Sequence, residues 1–256
     1  MRRIVAHACI SRLPLRKKNE GKAIAGFLSG STGHPTARPL TIFSIHNTVG
    51  AMSQREHWDQ VYRQNIPSQV SWFQAEAQLS LDFIHRIAPE RDAPIIDVGG
   101  GASTLVDGLL DSGYRNVAVL DIAGAALRLA QQRLGERTAQ VEWIESDVLT
   151  APLQPRHYAV WHDRAVFHFL TDGSDRARYV TKARATVRPG GYVIVASFAP
   201  EGPLRCSGLE VVRYTPDAMH AQFGEGFQLL NSVREEHHTP SGATQAFVYC
   251  LCRVDA

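Results

Sequence analysis

The sequence predicts an α/β domain: a mainly parallel sheet covered by helices on both faces and closed by an antiparallel hairpin. Three observations carry this. Between residues 94 and 198, short apolar runs alternate with helical periodicities, the order that makes neighbouring strands parallel. The turn after the first run is Asp97-Val98-Gly99-Gly100-Gly101 and opens directly into a helix. The last two strand-like runs, 227–236 and 245–254, flank Thr239-Pro240-Ser241-Gly242, a turn composition.

The elements follow in order. Residues 1–51 lack sustained periodicity and hold eight Lys/Arg against one acid, a net charge of +7, so the remainder of the 256-residue chain carries −5. The reading is a flexible basic extension on a mildly acidic body; organelle targeting by 1–51 is the less favoured reading, and 40–45 could form a short strand. Ser53 and Glu56 make a capping-box pattern that opens a helix with Trp58, Val61 and Tyr62 on one face, closed by Pro67. A second helix over 75–88 buries Leu79, Leu81, Phe83, Ile84 and Ile87. Strands are expected at 94–98, 116–121, 140–147, 158–163 and 192–198, with helices at 103–111, 123–134 and 174–187. Gly135 ends one helix, and Arg188-Pro189-Gly190-Gly191 separates the last helix from the last parallel strand.

Composition narrows the function. Four cysteines in 256 residues are too sparse for a disulfide scaffold and have no zinc-ligand spacing, so a reducing compartment, the cytoplasm, is expected, with no metal. No apolar run approaches the ~18 residues of a membrane span. The body is not basic, so no nucleic-acid partner is expected.

The chemistry concentrates at the strand ends. Gly99, Gly100 and Gly101 let the backbone approach a ligand closely, and Asp121 lies 20 positions beyond Gly101 at the end of the second strand, where a carboxylate accepts both hydroxyls of a ribose. A dinucleotide fingerprint requires Gly or Ala where Thr104 stands, and Asp97 repels a pyrophosphate but pairs with an ammonium. Asp147 closes the third strand, in place for the exocyclic amine of an adenine.

With Ile95–Val98 and its glycines, 119–122, 145–148 and 187–195, the chain resembles the class I S-adenosylmethionine-dependent methyltransferases over 53–254. The resemblance implies a Rossmann-like seven-stranded sheet with an antiparallel last strand and S-adenosyl-L-methionine as cofactor. It implies that Asp97 and the glycines hold the methionine part, Asp121 the ribose, and Ile122, Asp147 and Val148 the adenine. The opening His57-Trp58-Asp59-Gln60-Val61-Tyr62-Arg63, then Ser71-Trp72-Phe73, resembles the lysine methyltransferases acting on elongation factor 1A or citrate synthase. There Trp58, Tyr62 and Trp72 would cover the cofactor and Arg63 would meet its carboxylate.

After the fourth strand the chain departs from that group. Phe167 to Leu170 look more like the L-H-H-L of many small-molecule methyltransferases. His162, Asp163, Arg164 and His168 cluster where a ligand should face the cofactor, with His162, Asp163 and His168 as candidate catalytic residues, the histidines as bases, His162 also beside the cofactor, and Arg164 and His168 against the substrate. In the loop after the fifth strand, Arg205 and Cys206 are expected to line the acceptor pocket with Trp72, while Glu235-Glu236-His237-His238 reads as a solvated hairpin end. The expected acceptor is a small thiol, amine or hydroxyl. A protein lysine is the alternative, and a non-catalytic cofactor-binding module the second.

Overall fold

The computed structural model describes residues 52–255. The basic segment 1–51, with its possible strand, lies outside them. The elements run α1 Gln54–Gln64, α2 Gln78–Ile87, β1 Ile95–Val98, α3 Leu105–Asp111, β2 Val117–Asp121, α4 Gly124–Leu134, β3 Val141–Glu145 and β4 Tyr158–Arg164. They continue with α5 Gly173–Thr186, β5 Val187–Phe198, a two-residue ribbon of β6 Arg205–Cys206 and β7 Leu209–Glu210, α6 Pro216–Phe223, β8 Phe227–His238 and β9 Thr244–Val254. Among these, no helix is long and apolar enough to cross a membrane.

The seven long strands form one sheet in the order β3-β2-β1-β4-β5-β9-β8. β1 to β5 are parallel, and β9, the last in the chain, inserts antiparallel between β5 and β8. Strand alternation splits the core in two. Ile95, Val119, Val160, Ile194 and Tyr249 pack under α2 and α3, whereas Ile96, Trp161, Val195, Cys250 and Cys252 pack under α5 and α6. The chain winds outward through β1, β2 and β3, then returns to β4 on the other side of β1. The carboxyl ends of β1 and β4 therefore flank a topological switch point, the place where such sheets take ligands. The register sets Asp97 directly beside His162 there.

Ser53 caps α1 as its pattern requires: its hydroxyl accepts from the Glu56 N–H at 3.2 Å, and the Glu56 carboxylate accepts from the Ser53 N–H at 2.9 Å. Ser53→Ala is expected to remove about 1 kcal/mol of local helix stability. Faster hydrogen exchange confined to the α1 amides, with α2 unchanged, checks this.

Two local expectations needed tertiary information. Arg188-Pro189-Gly190-Gly191 does not end before the strand: β5 already starts at Val187, and the four residues loop out where the register jumps from Tyr158–Val187 to Val160–Tyr192. Gly190, at φ +74°, makes that excursion without strain. The α6 helix was not anticipated, although Thr215 caps it and Pro216 stands at its first position.

Candidate active site

Three carboxylates stand at the ends of β1, β2 and the turn after β3. Asp97 is 2% exposed. Its Oδ1 lies 2.7 Å from His162 Nδ1, and its Oδ2 is buried with no partner. Asp121 accepts from the Ala123 N–H at 2.8 Å, and burial pushes it up to about 7, helped by the neighbouring Asp97 and Asp59. Asp147 accepts from the Leu149 N–H at 2.8 Å.

The glycines fit against these acids one by one. A Cβ on Gly100 would fall on the Asp97 carboxyl, and one on Gly101 would sit 2.5 Å from Asp121 Oδ2. A Cβ on Gly99 would strike Val166 in the turn after β4. Arg133, reaching from α4, clamps the outside of the loop by donating to the Ala102 carbonyl at 2.9 Å and the Ser103 carbonyl at 2.6 Å while pairing with Asp107.

Two chambers open above the strand ends. The outer, about 420 Å³, is walled by Asp121, Ile122, Asp147 and Val148 on the β2–β3 side and by Trp58, Phe169 and Cys206 opposite. The inner, about 50 Å³, is walled by Gln74, Ser80, Asp97, Gly100, Thr104 and His162. Tyr62, Trp72, Gly99 and Arg164 belong to both walls.

Helix α1 covers this space and is tied down at both ends. Asp59 accepts from the Ala125 N–H in the first turn of α4 at 2.9 Å, and Arg55 pairs with Glu145 at the end of β3. Between them, Trp58 meets Phe169 and Trp72 edge-on, with ring centroids 5.0 Å and 5.9 Å away, and Tyr62 meets Trp72 at 6.2 Å.

Comparison with known proteins agrees with this geometry. Residues 95–191 match the family model described as a methyltransferase domain. EEF1A lysine methyltransferase 2 of Danio rerio is 27% identical over 224 residues, spanning 78% of this chain and 86% of that protein. A structure from work on the conversion of a disulfide bond into a thioacetal group during echinomycin biosynthesis superposes with TM-score 0.64 at 17% identity, covering 79% of this chain and 93% of that one. The N-methyltransferase NodS from Bradyrhizobium japonicum, in complex with S-adenosyl-L-homocysteine, superposes with TM-score 0.60 at 13% identity, covering 78% and 100%. The chain carries a methyltransferase domain on the fold of the S-adenosylmethionine-dependent methyltransferases.

The enzyme places its remaining candidate residues unevenly. Arg63 is not at the cofactor: its side chain is 66% exposed, outside both chambers, and pairs with Asp59 one turn back at 3.7 Å. Asp163 is not a catalytic acid. It is fully buried beneath the site, accepts from the Val166 and Phe167 N–H groups at 2.9 Å and 3.1 Å and from the Tyr179 hydroxyl, and thereby folds the turn that presents Phe169. His168 is not a base and walls neither chamber. It lies between Phe169 and Phe198 with both ring nitrogens unpartnered, and burial, with Arg164 nearby, drives it down to about 3, so it stays neutral. His162 walls the inner chamber, but both nitrogens are engaged, Nδ1 by Asp97 and Nε2 by Ser80 at 2.8 Å, so it offers no free site for an acceptor proton.

The loop after β5 divides likewise. Arg205 faces solvent and pairs with Glu210 across the small ribbon at 3.2 Å. Cys206 does reach the outer chamber, but burial pushes its thiol up to about 11, making it a neutral wall and not a nucleophile. Arg164 walls both chambers as a well-anchored cation. It donates to the Tyr249 hydroxyl at 2.9 Å, the Trp72 carbonyl at 3.2 Å and Glu235 at 3.2 Å, and stacks over Phe247 at 4.2 Å.

Glu235 also accepts from Gln74 at 3.0 Å, and His237 bonds the Ser71 carbonyl at 2.8 Å. The Glu235–His238 end of the hairpin is therefore not wholly solvated: it packs on the segment that carries Trp72. Gln74, Ser80, Glu235 and Tyr249 were missed as site residues. Ser80 had a signal, being polar one turn from Phe83 and Ile84 on the buried face of α2. Among the described residues, no three His, Cys, Asp or Glu side chains stand together as a metal site.

Proposed function

We propose that this methyltransferase transfers a methyl group from S-adenosylmethionine to the ε-amine of a protein lysine. The carrying observation is the likeness to an EEF1A lysine methyltransferase over 78% of the chain. The tryptophan-rich opening shared with that group forms the α1 cover of the site. The sequence feature that favoured a small acceptor weighs less in the fold, because Phe167 and His168 are buried beneath the chambers; only Phe169 and Leu170 of that run reach the outer wall.

The residues present fit the cofactor. Asp97 Oδ2 is a buried acceptor with no protein partner, suited to an ammonium, and the loop carbons that would block the approach are missing at Gly100 and Gly101. Asp97 would hold the amino-acid end in the inner chamber, Asp121 the ribose hydroxyls, and Ile122, Asp147 and Val148 the adenine, leaving the aromatic side of the outer chamber for the acceptor. Bound there, S-adenosylmethionine supplies an electrophilic methyl carbon on its sulfonium. Trp58, Tyr62, Trp72 and Phe169 exclude water and orient the incoming amine; much of the rate comes from this positioning. Their apolar surfaces disfavour a bare ammonium, and the one imidazole in the chamber walls among the described residues, His162, has both nitrogens engaged, so the amine gives its proton to solvent as it enters.

A small-molecule acceptor is the second reading, favoured by Phe169 and Leu170 of the 167–170 run, which reach the outer wall. The test is S-adenosylhomocysteine release by the full chain, with radiolabelled cofactor, against a cell protein extract and, in parallel, small amines, thiols and phenols. Label in a protein band, mapped to lysine by acid hydrolysis, is the expected result. Turnover on small molecules alone would replace the lysine reading, and tight cofactor binding without either would point to a binding module.

A further inference from the structure

We propose that His162 is a positioning residue, which holds the Asp97 carboxylate in the one orientation that presents its free oxygen to the α-ammonium of the cofactor. The inference rests on the reading that the amino-acid end of the cofactor occupies the inner chamber.

The argument starts from the sheet. Parallel pairing puts Asp97 and His162 side by side on β1 and β4, and both are almost completely buried. A carboxylate only accepts, so the 2.7 Å contact requires the imidazole proton on Nδ1. In the neutral ring Nε2 is then the acceptor, and the Ser80 hydroxyl, 2.8 Å away, donates to it. The two bonds run head to tail from the Ser80 hydroxyl through the imidazole to the carboxylate, and bonds so aligned polarise one another.

The consequence falls on Asp97 Oδ2. The imidazole pins Oδ1 on one side, and the missing Cβ of Gly100 admits the carboxyl on the other. Oδ2 is left as the one carboxylate oxygen without a partner in the inner wall. A buried unpaired acceptor is costly unless a ligand donor completes it. Ser80 acts one step further back by fixing the tautomer, much as outer partners orient metal-bound histidines.

The experiment is calorimetric, with two probes on the full chain: S-adenosylhomocysteine, which carries the ammonium, and 5′-methylthioadenosine, which has the same adenosine and sulfur but no amino-acid group. In His162→Phe, S-adenosylhomocysteine affinity should fall about 30-fold while methylthioadenosine affinity stays within about two-fold. His162→Asn, whose amide nitrogen stands where Nδ1 was, should recover S-adenosylhomocysteine to within about three-fold of the parent. Ser80→Ala should show a smaller loss with the same selectivity, and it decides the matter if the Phe variant fails to fold. Equal losses on both probes, no loss on S-adenosylhomocysteine, or failure of Asn to rescue would overturn the proposal. Asp97→Ala separates the two levels. If it does not discriminate between the probes, the placement of the amino-acid end is wrong and the proposal falls with it. If it does and the His162 and Ser80 variants do not, only the role of His162 is lost.

Discussion

Asp121→Ala is expected to lower S-adenosylhomocysteine affinity about 100-fold, because a buried carboxylate accepting two ribose hydroxyls makes charge-assisted bonds that nothing nearby replaces. The same residue gives a pH signature. Burial lifts Asp121 from the ordinary carboxylate range to about 7, so in the cofactor-free protein it is substantially protonated just below neutrality. Affinity should therefore fall as pH drops below 7, with the uptake of one proton, and Asp121→Asn should abolish that slope. The stability effect has the opposite sign. A carboxyl whose folded value is raised contributes stability below its unfolded value that is lost as pH rises through the folded one. Asp121→Asn, which cannot ionise, should raise the melting temperature of the cofactor-free protein by roughly 5 °C near pH 8.5 and leave it unchanged near pH 4. Scanning calorimetry of both proteins at both pH values checks this. A variant that binds the cofactor normally would remove Asp121 from the site.

The second large effect is expected at Gly101. Alanine there places a methyl 2.5 Å from Asp121 Oδ2 and 3.0 Å from Ala126, at φ +34°. Neither neighbour can retreat freely, because Asp121 is anchored by the Ala123 N–H and Ala126 is fully buried in the first turn of α4. Gly101→Ala should cost about 2–3 kcal/mol of stability and reduce cofactor binding at least as strongly as Asp121→Ala. Gly113→Ala is the matched control: its φ is +86° but nothing stands within 4 Å, so it should show backbone strain without any loss of binding. Denaturant melts with cofactor titrations on both variants separate the two contributions.

The acidic and glycine positions were legible because spacing alone constrains them. Gly99 to Gly101 follow a short apolar run and precede a helix, and an acid ends the next strand; these are short-range relations along the chain. The same holds for the Ser53–Glu56 cap, which closes within one helical turn. The histidines were not legible. Sequence shows that His162 and His168 lie near the switch point, but whether an imidazole faces a cavity, another side chain or a ring stack depends on β1, α2 and β5, which are distant in the chain. Arg63 and Arg205 failed for a related reason. A cation is placed by the carboxylate it finds, and Asp59 and Glu210 lie within five residues of them on the solvent side.

What the sequence by itself determined is the strand–helix alternation, the glycine turn, the three carboxylates at strand ends and the antiparallel closing strand. Each follows from periodicity or from contacts a few residues apart, where backbone geometry leaves little choice. What only the tertiary structure decided is which polar side chains share a wall. Asp97 acquires His162 from β4, His162 acquires Ser80 from α2, and Arg164 acquires Glu235 and Tyr249 from β8 and β9. These partners lie 65 to 85 residues apart. Their meeting depends on strand register and burial, because an ionisable group taken out of water pairs with whatever complementary group the fold delivers.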